Sequence, residues 1–125
     1  MPTGYMIPPP PTIAANATVA AHTDSATLTV ADAGKIHTNT GSSGTVTLTL
    51  PKASDAAGCS LRAQVTAAQI VHFLPVTGEA IFLGGDGVAT KYLAIAGTIG
   101  NFCDIYSDGV QWLVTKYSGV VTKEA

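Results

Sequence analysis

Eight acidic side chains, three histidines and two cysteines are the groups in this 125-residue chain that could carry chemistry. Glycoside cleavage takes two carboxyl groups facing each other across a substrate. Asp104 and Glu79 are the acids that alternating strands could bring together by chance, but no pattern selects them. Most of the others, such as Asp32, Asp86 and Asp108, fall at turn positions, where an Asp side chain caps its own backbone. A metal pair on one strand face requires ligands at i and i+2. His22 and Asp24 have that spacing without a third ligand, and His37 and His72 stand apart. Each histidine is therefore expected at the surface or at a strand edge, with His37 turned to solvent or to a subunit interface. Cys59 and Cys103 lack the spacing of a zinc site and read as free, buried, small apolar groups; the sequence leaves a disulfide open. No G-x-S-x-G nucleophile turn occurs, and Gly84-Gly85-Asp86-Gly87 lacks the lysine and helix of a phosphate-binding loop. Asn16-Ala17-Thr18 is a glycosylation sequon, which matters only in a secreted chain. No catalytic residue, metal or cofactor is expected, and the chain reads as a non-enzyme.

The composition points the same way. Charged residues make up 11% of the chain, against roughly 25% for an average soluble domain. A surface this poor in charge suits a protein partly covered by copies of itself or by a lattice. The net charge is -2 and Arg62 is the only guanidinium, so the cations that neutralise phosphates are missing and nucleic acid is not an expected partner. Anionic membrane surfaces are discounted for the same reason, and no apolar run reaches the roughly 18 residues of a spanning helix. No basic-then-apolar leader opens the chain, which is consistent with assembly in a cytoplasm.

The elements that would position these residues are strands. Thr45 to Leu50 alternates with Val46, Leu48 and Leu50 on one face; Cys59, Leu61, Ala63 and Val65 form a second such set. Ala26 to Val30, Ile70 to Leu74, Ala80 to Leu83, Tyr92 to Ala96, Phe102 to Tyr106 and Val110 to Tyr117 continue the pattern. Period two places one face in a core and one in water, and Thr and Val suit a pleated surface. Trp112, alternating with Val110 and Val114, is expected in the core rather than as a sugar-stacking platform. Gly41-Ser42-Ser43-Gly44, Pro51, Gly84 to Gly87 and the hairpin signal Asp108-Gly109 punctuate the strands. A helical turn fits Ala53 to Ala57, and no long helix or solenoid-period repeat is visible. The expected fold is all-β: one sandwich or jelly-roll-like (β-tulip) domain over residues 22–125.

Residues 1–21 read as an extended N-terminal arm. Pro8, Pro9, Pro10 and Pro11 favour polyproline II, which is stiff and has little freedom left to lose. Tyr5, Met6 and Ile7 lie on its free side as candidate anchors. A dozen residues at about 3.1 Å each reach roughly 35–40 Å, well beyond the ~13 Å radius of gyration of a 100-residue domain. Such an arm can touch a neighbour.

The stretch from Leu28 to Gly58 carries a resemblance. Its order of Gly34-Lys35, Asn39-Thr40-Gly41 and Thr45-Val46-Thr47-Leu48-Thr49-Leu50-Pro51, followed by an aliphatic strand, the Gly78–Gly87 region and Trp112, resembles a small β-module of tailed-bacteriophage virions. Such modules occur in capsid decoration proteins, head fibres and tail fibres, and they usually trimerise. The resemblance spans about Asp24 to Tyr117 and implies a virion location. With a proline-rich arm and no shaft or coiled coil, the chain reads as a free-standing decoration (cementing) protein. Its implied partners are the major capsid protein and two further copies of itself on the outer head surface. A tail-fibre or head-fibre component for host or glycan attachment is the alternative. The sequence names no trimer-interface residue.

Overall fold

The computed structural model describes residues 17–125. Eleven strands run in the order β1 (Val19–Ala21), β2 (Ala26–Thr27), β3 (Ile36–Thr38), β4 (Val46–Thr49), β5 (Ser60–Gln64), β6 (Val71–Leu74), β7 (Ile81–Phe82), β8 (Leu93–Ile95), β9 (Phe102–Ser107), β10 (Trp112–Ser118) and β11 (Val121–Lys123). They form a six-stranded sheet, β1-β3-β5-β9-β10-β7, and a five-stranded sheet, β11-β8-β6-β4-β2. The expected all-β sandwich is the fold, and no α-helix occurs among the described residues.

The chain changes sheet at every strand up to β9, and this sets the pairing. Through the first six strands each return to a sheet keeps the same direction, so β1, β3 and β5 pair in parallel, as do β2, β4 and β6, whereas β8 returns antiparallel to β6. Both sheets are therefore mixed, unlike the antiparallel order of a jelly roll. Only β9 turns back directly, forming the β9–β10 hairpin and joining β5 in the middle of the larger sheet. Its four-residue turn is built by Asp108, whose Oδ1 accepts from the N–H groups of Val110 and Gln111 at 2.9 Å each.

The alternating positions form the core. Val46, Leu48, Val71, Phe73, Leu93 and Ile95 from the smaller sheet meet Leu61, Ala63, Val65, Cys103, Ile105 and Trp112 from the larger, all nearly inaccessible to water. Burial of side chains of this size contributes roughly 1.5–3 kcal/mol each. Trp112 lies in this core, as its alternation requires.

Several local expectations are corrected. The sheet begins at Val19, so residues 19–21, assigned to the arm, pair with β3, and the sheet extends three residues beyond the expected boundary at 22. Ala26–Val30 is not one strand. After Thr27 the chain bends into a 3-10 turn, Val30–Asp32, because Asp32 Oδ2 accepts from the Thr29 N–H at 2.8 Å. His37 does not face water or an outer surface; it shares the inner side of the larger sheet with Ala63 and is fully buried. The helical turn that fits Ala53–Ala57, by contrast, is present as a single turn, with the Ala56 N–H donating to the Lys52 carbonyl four residues back at 3.2 Å.

Candidate functional site

The outer face of the larger sheet departs most from the alternation rule. With Leu61, Ala63, Cys103, Ile105, Ile81 and Trp112 turned inward, their neighbours Arg62, Phe102, Asp104, Tyr106, Phe82 and Leu113 must point outward. Cross-strand register groups them: Ile36, Arg62 and Asp104 lie side by side on β3, β5 and β9, and Tyr106, Leu113 and Phe82 on β9, β10 and β7. An outward face is expected to be polar. Here Ile36, Phe102, Tyr106, Leu113 and Phe82 share it with Thr38, Ser60, Gln64 and Lys116 around one ion pair.

That pair is the strongest polar contact of the face. Arg62 Nε donates to Asp104 Oδ1 at 2.6 Å and Nη2 donates to Oδ2 at 3.0 Å, a two-pronged, charge-assisted arrangement. Hydrogen bonding to Asp104 raises the Arg62 pKa still further. The guanidinium also lies 4.1 Å from the centre of the Phe102 ring, which favours its charge. Asp104 is 6% exposed, so the carboxylate lies almost entirely within the surface.

A second polar cluster lies under β1. The His22 and His37 rings stack with centroids 5.1 Å apart, and His22 Nε2 is 2.9 Å from His37 Nδ1. His37 Nε2 is 3.0 Å from the backbone carbonyl of Asp32, which can only accept. His37 therefore donates from Nε2 and accepts at Nδ1, and His22 donates to it. Burial lowers the pKa of both rings and favours the neutral relay. The relay ties the end of β1 to β3, with the His22 N–H donating to the Thr38 carbonyl at 2.8 Å. This is a structural joint, and among the described residues no third metal-ligating side chain joins the two rings.

The other candidates are dispersed. Asp104 and Glu79 do not form a catalytic pair: Asp104 is held by Arg62, and Glu79 Oε1 accepts from the Ala53 N–H at 3.0 Å. Asp24 and His22 gain no metal partner, and among the described residues no group of three His, Cys, Asp or Glu side chains could hold a metal. His72 stacks on Tyr92 with ring centroids 3.9 Å apart, on the outer side of the smaller sheet. Cys103 is buried and its thiol is pushed up to about 12 by burial, whereas Cys59 is half-buried; both are free. A groove of about 460 Å³ runs beside β10 where β7 has ended, lined by Leu83, Gly84 and Val114 to Tyr117. Tyr5, Met6, Ile7, Pro8, Pro9, Pro10 and Pro11, the candidate anchors and spacer, lie outside the described residues.

Sequence reasoning did not single out the Arg62–Asp104–Phe102 group. A signal existed: the one arginine of a charge-poor chain sits mid-strand on the side opposite Leu61 and Ala63. Its partners became visible only with the pairing of β5 and β9, separated by a long stretch of chain. The arrangement offers no nucleophile and no activated base; it is suited to contact. No protein-family model matches the chain, and no curated protein matches it either.

Proposed function

We propose that this chain is a non-enzymatic virion protein of a tailed bacteriophage, a trimeric decoration protein that binds the outer head surface and stabilises the shell. The observation that carries the reading is the ordered series Gly34-Lys35, Asn39-Thr40-Gly41 and Thr45 to Pro51, together with what these residues do in the fold. Asn39 is fully buried, and its side chain joins the end of β3 to the connection between β5 and β6 through Thr66, Ala67 and Gln69. Gly41 takes a φ of 84°, which favours glycine, with its backbone against Thr23. Val46, Leu48 and Leu50 supply core. The series resembling the phage module is thus the series that builds this sandwich.

In this reading three copies sit over a junction of major capsid subunits, and their contacts act together at high effective concentration. The segment before β1 is the strap: Tyr5, Met6 and Ile7 anchor on capsid, and Pro8 to Pro11 hold the distance. Internal pressure on the shell is resisted at each strap. Low charge makes the binding weakly dependent on salt.

Immunogold electron microscopy of purified virions with antibody to this protein tests the location. Dense label over the head supports decoration. Label confined to the tail selects the fibre reading, for which the stacked His72–Tyr92 rings on the smaller sheet's outer face are the place to look for a glycan. Absence of label from virions overturns both. Deleting residues 1–11 tests the strap: capsid binding must weaken while the sandwich stays folded.

A further inference from the structure

β1 is held to the sandwich differently from the strands of the core. It is an edge strand, paired on one side to β3. Val19 is 60% exposed, Ala21 is exposed and Ala20 is half-buried. Apolar burial therefore contributes little to keeping β1 in place. Its backbone bonds to β3 are closed at the two ends. The Ile36 N–H donates to the Thr18 carbonyl at 2.9 Å, and the His22 N–H to the Thr38 carbonyl at 2.8 Å. The side-chain tie beside them is the bond from His22 to His37.

That tie survives one added proton and not two. A first proton goes to Nδ1 of His22, the more exposed ring, whose Nε2 still donates to His37. A second must go to His37 Nδ1, the atom that accepts from His22. Two donors then face each other across 2.9 Å, and two cations stack with centroids 5.1 Å apart. One ring has to leave. His37 is fully buried and its Nε2–H is held by the Asp32 carbonyl, so His22, at the sheet edge, is the ring that moves. From this geometry we infer that the His22–His37 pair is an acid-opened latch: protonation of both rings frees β1 from β3 while the rest of the sandwich stays closed.

The surrounding charges leave the latch free to act. Asp32, in the turn before β3, attracts the added protons, and Lys35, 3.5 Å from that carboxylate, opposes it. β5 sets Ala63 beside His37, with Arg62 turned outward onto Asp104. The core facing the relay is apolar, β1 carries no titratable side chain, and Asp24 is exposed beyond His22. Burial lowers both ring pKa values below 6.5, so the latch is shut at neutral pH and opens as pH falls through the lowered values. Opening unpairs the Ile36 N–H and the Thr38 carbonyl at a new sheet edge. It also adds residues 17–22, at about 3.3 Å each, to the free N-terminal length, roughly 20 Å of reach. The latch belongs to the sandwich alone and stands or falls separately from the virion location.

The test is amide hydrogen exchange of the full chain, resolved by NMR and read as protection factors from pH 7.5 to 4.5. Each proton gained on opening changes the opening equilibrium by about tenfold per pH unit within the window. The Ile36 and His22 amides should therefore lose protection about tenfold or more. Leu28, whose N–H donates to Thr49 at the β2 edge with no histidine beside it, should keep its protection. His22→Gln is the discriminating variant. Its amide can donate to neutral His37 or turn its carbonyl to protonated His37, so the joint holds at both ends of the range. Ile36 in H22Q should lose less than about threefold. Unchanged protection at Ile36 in the wild type, an equal loss at Leu28, or an H22Q that loses as much as the wild type overturns the latch. If H22Q does not fold, the comparison of Ile36 with Leu28 in the wild type decides.

Discussion

Replacing Asn39 by alanine should cost this fold about 4 kcal/mol. The side chain is fully buried and makes four close bonds to backbone. Its Oδ1 accepts from the N–H groups of Thr66 and Ala67 at 2.8 and 3.0 Å, and its Nδ2 donates to the carbonyls of Ala67 and Gln69 at 3.0 and 3.1 Å. A net hydrogen bond contributes about 0.5–1.5 kcal/mol, so four contribute about 2–6. The lower end applies if water enters and satisfies the freed groups of the 66–69 turn, where Thr66 is exposed. Against a whole-domain stability of about 5–15 kcal/mol, this is a large fraction. The assay is urea unfolding followed by Trp112 fluorescence, since the single tryptophan is fully buried and its emission reports loss of the core. Asn39→Asp is the discriminating variant. It keeps the accepted bonds but sets a carboxylate against two carbonyl oxygens, which raises its folded-state pKa. Its stability should then be highest at acid pH and be lost as pH rises through that pKa. A loss below about 1 kcal/mol in N39A, or an Asp variant insensitive to pH, would falsify the account of Asn39 as the joint between β3 and the β5–β6 connection.

Three further outcomes are expected. Because burial lowers the His22 and His37 pKa values below 6.5, their contribution is present above 6.5 and lost as pH falls through the lowered values; the urea midpoint should drop between pH 7.5 and 5, with a smaller drop in His37→Asn. An equal drop in both would show that the relay does not couple to folding. In thiol titration of the native protein Cys59 should react while Cys103, with its thiol at about 12, reacts only on unfolding; equal rates would contradict the buried position. Gly119→Ala should destabilise by more than about 1 kcal/mol, because φ is 84° and the added Cβ overlaps the Asn101 amide; thermal unfolding within a degree of wild type would refute that packing.

The strands with strict alternation were legible from sequence. Val46, Leu48 and Leu50, or Leu61, Ala63 and Val65, announce which side is buried, because a slip of one residue would turn every side chain over. What alternation does not carry is the partner. Parallel pairing of β1 with β3 or β4 with β6 depends on the path through the other sheet, which no local pattern encodes. β1 was missed because Val19-Ala20-Ala21 has no polar alternate, and β11 because three residues after Gly119 make too short a run. His37 misled because an isolated histidine reads as polar. It is buried because His22 and the Asp32 carbonyl satisfy both of its ring nitrogens, a pairing across separate segments. The outer-face group failed to stand out for a similar reason: Ile36, Phe102, Tyr106 and Leu113 read as ordinary strand residues until the register aligns them.

The late return of β9 has a consequence for how the chain is made. As it leaves the ribosome, β1 to β6 can wind between the two sheets in order, each new turn adding to the one before it. The larger sheet cannot close at its centre until β9 arrives, since Leu61 waits for Ile105 about forty residues later. Through that interval β5 presents an open edge of unpaired backbone beside an unfinished core, the condition in which nascent chains stick to one another. A product ending before Phe102 should therefore collect in inclusion bodies even though most of its strands are present, and yield on expression should respond more to changes in the last quarter of the chain than to changes of equal size near β2.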